Sequence, residues 1–217
     1  MEGFGDTVES PMGTHRPRRP APLEPHIFDR FEGGTDPALT LQLAHDSASA
    51  LVHRVKESDD PAVLQRVIDY ASNNGVGELA ELWAHAPAHS LPGALWRLYV
   101  VHASIVGDAL FAASAHERGV ELASAADAVV VGAGQPTTPA DIRSLAHDIL
   151  SGAFTGDVGD ALDRAAAYCR IQSRGITDIV GQSELGNSAL LQRALTLTDF
   201  ASDFAASAKL DRQGQLH

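Results

Sequence analysis

Two His-Asp dipeptides, His45-Asp46 and His147-Asp148, are the residue pairs best suited to chemistry in this chain. An imidazole and a carboxylate together suit a divalent ion, and an ion so held can activate water. This makes His45, Asp46, His147 and Asp148 a candidate metal set, and metal-dependent hydrolysis one function class to test. Adjacent residues on a helix diverge by about 100°, so each dipeptide needs further ligands from other helices. The competing reading puts all four on solvent-facing helix surface. His85 and His89 stand at i, i+4, the helical spacing of zinc ligands, but Pro87 lies between them and interrupts the helix that would align them.

The run Val129–Gly134, VVVGAG, has the look of a dinucleotide-binding turn, in which glycines let backbone approach a pyrophosphate. The match stops there. The third glycine of that pattern falls on Thr137, and no strand follows to complete a βαβ unit. The plainer reading is the end of a helix and a loop. Cys169 lies on an apolar stripe and reads as an inert core thiol. No serine sits in a Gly-x-Ser-x-Gly turn and no P-loop is present. No cofactor is expected.

The elements that must position these residues read as helices. Asp36-Pro37 starts the first, to about Lys56, with Leu41, Ala44, Ala48, Leu51, Val52 and Val55 as an inward stripe. A second carries Val63, Leu64, Val67, Ile68 and Ala71 and stops at Asn73-Asn74-Gly75. A third spans about 76–85 with Leu79, Leu82 and Trp83 inward. Ser90 then caps SLPGALWRLYVVHASIV, apolar on most sides and so surrounded by other elements. Its polar residues Arg97 and Ser104 fall on one narrow line. Trp96 and Tyr99 read as bulk filler.

Asp108 caps a fifth helix over 109–118, and Gly119 punctuates it. The segment 120–131 comes next. Thr137-Thr138-Pro139 starts a helix over 140–150, and Asp157 caps one from Val158 to about Arg174. Gly175, Gly181 and Gly186 mark an irregular section with a short helical turn at 177–180. Asn187 caps a long last helix, 188–209. The fold class is therefore all-α: a compact multi-helix domain of about eight or nine helices with no significant sheet. No repeat of fixed period is present.

The domain spans residues 36–217. Residues 1–35 read as a disordered arm, rich in proline (Pro11, Pro17, Pro20, Pro22, Pro25) and unable to bury a core. Arg16, Arg18 and Arg19 give the arm a basic stretch, the basis for a third function class, a nucleic-acid-associated regulator. The formal charge of −12 over 217 residues repels nucleic acid and anionic membrane, so nucleic acid is an unfavoured partner and no membrane association is expected. One cysteine, no secretion signal and no apolar stretch of roughly 18 residues point to the cytoplasm.

The last helix carries the clearest interaction feature. Leu190, Ala194, Leu197, Ala201 and Phe204 recur at spacings of four and three, and Leu191 and Leu195 widen the seam. Alternating large and small residues allow close helix approach, either onto the same domain or onto a second subunit. The segments Leu91–Ile105 and Ile149–Ile171 resemble segments of uncharacterised helical proteins from actinobacteria. That resemblance implies an all-helical cytoplasmic domain and carries no activity or site residue. The function expected first is a non-enzymatic helical interaction or regulatory protein that self-associates through its C-terminal helix.

Overall fold

Five of the described helices begin where a short polar side chain takes an N–H group that a first turn leaves bare. Ser90 Oγ accepts from Gly93 N–H, Asp108 from Phe111, Asp157 from Asp160 and Asn187 from Leu190. Thr138 and Asp141 form a reciprocal capping box ahead of a proline in the first turn. The computed structural model describes residues 36–58, 60, 62, 63, 66, 78–123, 125–131, 138–182 and 187–217. By its contacts the chain divides after Asp36, and every described helix belongs to the unit 37–217.

Among the described residues there are eight helices and no strand: α1 (Pro37–Lys56), α2 (Glu78–Ala84), α3 (Leu91–Gly107), α4 (Ala109–Leu122), α5 (Ala125–Val131), α6 (Pro139–Thr155), α7 (Val158–Gly181) and α8 (Ser188–Arg212). The fold is all-α. Of the helix expected over Val63–Ala71 only Val63 and Arg66 are described, both helical, and Val63 packs against the core. The rest of it and the arm with Arg16, Arg18 and Arg19 lie outside the described residues. No single described helix is long and apolar enough to cross a membrane. The pair α3 and α4 reaches that length and composition only together, and it bends by 106°.

The hub is α7 rather than α3. Helix α7 packs along α8 and α4 and also touches α5 and α6, while α3 is covered by α6, α1, α2 and α8. The apolar density of α3 does bury ten of its residues, Leu95, Leu98, Tyr99 and Ile105 among them. What favours α7 is smallness. Its buried face includes Ala161, Ala165, Ala166, Cys169 and Gly175, which lets two neighbours come close.

Two expected breaks are not breaks. Helix α4 runs through Gly119 to Leu122, and α7 runs through Gly175 to Gly181, replacing the first part of the irregular section; Gly186 lies outside the described residues. Both glycines mark the crossing of α4 with α7. A Cβ on Gly175 would lie 1.8 Å from the Ala115 carbonyl oxygen, and one on Gly119 would lie 2.0 Å from that of Ile171. Glycine here serves backbone approach inside continuous helices.

The segment ending in VVVGAG also resolves. Val129–Val131 close the short helix α5, and residues 132–137 lie outside the described set. Helix α5 is tied to α7 by Asp127, which accepts from Arg170 Nε at 2.7 Å and Arg174 Nη1 at 2.9 Å. Burial alone would raise the Asp127 pKa, but the two guanidinium groups win and hold it below the usual value.

Candidate functional site

The polar line on α3 is where the structure brings charged and aromatic groups together. Arg97 and Ser104, seven residues apart, both turn toward α8. Arg97 Nε donates to Asp203 Oδ2 at 2.9 Å, and Ser104 Oγ accepts from Arg193 Nη2 at 2.8 Å. The other Asp203 oxygen lies 3.2 Å from His89 Nε2. Arg97 also donates to the Gly93 carbonyl at 3.0 Å. Its guanidinium centre sits 5.6 Å from the Trp96 ring and 5.5 Å from the Phe200 ring, and those two rings meet edge to face.

A histidine on a carboxylate is the first part of a proton relay. Ser90, next in sequence, does not extend it: its hydroxyl donates to the Pro87 carbonyl and accepts from Gly93 N–H. The group is a clasp. It fastens the α2–α3 loop and α3 onto α8 through one carboxylate. Asp203→Ala should cost about 1–2 kcal/mol, discounted for partial exposure, in urea unfolding. A loss under about 0.5 kcal/mol would mean that solvent screens the clasp.

The predicted metal residues are placed differently. His45 is half-buried on α1, and its Nδ1 is out of solvent without a hydrogen-bond partner. His147 is half-buried on α6. Asp46 and Asp148 are exposed. Although α1 and α6 pack together, no group of three His, Cys, Asp or Glu among the described residues is arranged to hold a metal ion. The helical divergence of adjacent residues separates each imidazole from its carboxylate. His147 instead acts on His102 of α3, whose pKa is lowered first by burial and then by His147. His85 and His89 also part company, His85 to the Glu81 carbonyl at 2.9 Å and His89 to Asp203.

Helix α8 uses its stripe inside the domain. Ala194, Leu197, Ala201 and Phe204 are buried and Leu190 packs against the same core. Of the two occupants that fitted this seam, the chain's own α7 and core take it. The seam's outer margin remains open: Leu191 is 42% exposed and Leu195 60%. Cys169 is free and buried, and burial pushes its thiol pKa up, which keeps it an unreactive thiol.

The clasp was hidden in the sequence because Arg97 and Asp203 are 106 residues apart. The available signal was the single cation in an apolar helix, which needs a partner wherever it is buried. No family model, curated protein or solved structure matches the chain.

Proposed function

We propose that this chain is a non-enzymatic helical interaction or regulatory protein that pairs with a second copy through the outer side of α8. The observation that carries this reading is the exposure of Leu191 and Leu195, one turn apart, beside a seam already filled by the chain itself. The same side continues with exposed Thr198, Ser202 and Ala205. Large side chains thus occupy the first half of the strip and small ones the second.

An antiparallel copy turned about Thr198 sets leucines against small residues on both sides. That is the self-complementarity a two-fold interface needs. The Thr198 and Ser202 hydroxyls donate to the Ala194 and Thr198 carbonyls of their own helix at 3.0 and 3.2 Å, so covering them strands no donor.

Sedimentation at micromolar concentration tests the reading. A dimer is expected, tightening with salt as the repulsion between two chains of charge −12 is screened. Leu195→Glu should yield a monomer with an unchanged helical spectrum. A strict monomer in the parent protein would remove the pairing, and robust turnover of small substrates would overturn the non-enzymatic reading.

A further inference from the structure

The α4–α7 crossing holds a second titratable group away from the clasp. His116 lies on α4, 2% exposed, one turn before Gly119. Its ring stacks on Tyr168 of α7 at 5.5 Å with 17° between planes. Its Nδ1 is out of solvent and has no hydrogen-bond partner. Gln172 Nε2 occupies the acceptors nearby, donating to the Ala112 carbonyl and to Tyr168 Oη, both at 2.7 Å.

Among the described residues no carboxylate pairs with this ring, and burial is what disfavours its charged form. From α7 comes Tyr168, held protonated by burial, as is the thiol of Cys169 beside it in sequence. From α8 comes Arg193, a cation, which lies over Phe111 of α4 and acts on Tyr168. Helix α6 buries Ile142, Leu145, Ala146 and Ile149, and its half-buried His147 acts on His102 of α3. The neighbouring carboxylates stay at the surface: Glu117 is exposed, while Glu121 and Asp178 bond Arg118. We propose that His116 is an acid-sensitive latch: α4 and α7 hold together around its neutral imidazole and part when it takes a proton.

Burial lowers the His116 pKa from 6.5 to about 4. Above pH 6.5 the ring is neutral in both folded and unfolded chains and has no effect. Between pH 6.5 and 4 the unfolded chain binds a proton that the folded one refuses, so stability falls; below pH 4 the loss is complete. The difference of about 2.5 units corresponds to a folded-to-unfolded ratio reduced roughly 300-fold.

Two measurements test the latch. Urea unfolding between pH 7.5 and 4 compares the parent with His116→Gln. His102, also lowered, contributes to both proteins, so the difference between them is the readout. The expected result is a parent that loses about 150-fold more than the variant by pH 4. Equal pH slopes would overturn the proposal. NMR titration of the parent's imidazoles keeps the test decisive if the variant does not fold. His116 should stay neutral until about pH 4. Titration at its ordinary 6.5 would likewise overturn the latch.

Discussion

Gly175→Ala should destabilise the domain by roughly 3–5 kcal/mol or prevent folding, although alanine is the better helix former by about 0.8–1 kcal/mol. The added Cβ has nowhere to go. It would meet the Ala115 carbonyl oxygen at 1.8 Å, the Ala115 carbonyl carbon at 2.8 Å and the Gly119 nitrogen at 2.9 Å. All three are backbone atoms, so relief requires α4 and α7 to move apart as bodies. Moving them disturbs the packing around Ala112, Ala115, Cys169 and Ile171 at the same time.

Gly107→Ala supplies the control. Nothing lies within 4 Å of a Cβ there, and propensity should decide in favour of alanine. Thermal and urea unfolding of the two variants should give opposite signs. A near-neutral Gly175→Ala would show that the helices can separate freely.

Trp83→Ala should cost about 3–5 kcal/mol, well above the same change at Trp96. Trp83 is 2% exposed. It stacks on Tyr99 at 6.1 Å, and its Nε1 donates to Ser47 Oγ at 3.0 Å. One side chain thus joins α1, α2 and α3, and Tyr99 passes the contact on to Phe154 of α6. Removing it leaves a cavity and deprives Ser47 of a donor. Trp96 is only partly buried, with its edge on Phe200 and its neighbour Arg97 lying over its ring. Denaturant midpoints of the two variants decide the order. Equal losses would mean that Trp96 carries as much of the core as Trp83.

That order reverses the weight the two tryptophans have in the sequence. Trp96 stands in the densest apolar run, and Trp83 in a short segment ended by Pro87. Local density measures how many apolar residues a helix has. It does not measure how many helices converge on one of them. Three elements converge on Trp83, and mainly two on Trp96.

Local signals settle where helices begin, because a cap acts over three residues and is written in consecutive letters. Ser90, Asp108, Thr138, Asp157 and Asn187 all cap as their types predict. The stripe on α8 was also legible, since a helix converts spacing into a face. What occupies that face was not, because a heptad-like seam suits the chain's own core as well as a second copy. The His-Asp pairs show the same limit from the other side. Residue type suggested metal chemistry, but adjacency in sequence is divergence on a helix.

The glycines make the division clearest. Gly119 and Gly175 look like stops when read along the chain, since glycine weakens an isolated helix. Between two packed helices the missing Cβ is what permits contact, and the helices run on through both. The amino-acid sequence by itself determined the all-helical class, the helix starts and the inward faces, all of which depend on near neighbours. The tertiary structure decided that α7 is the hub, that Arg97 meets Asp203 and that His116 is sealed against Tyr168. The last two join residues 106 and 52 positions apart in the chain, and only packing brings such residues together.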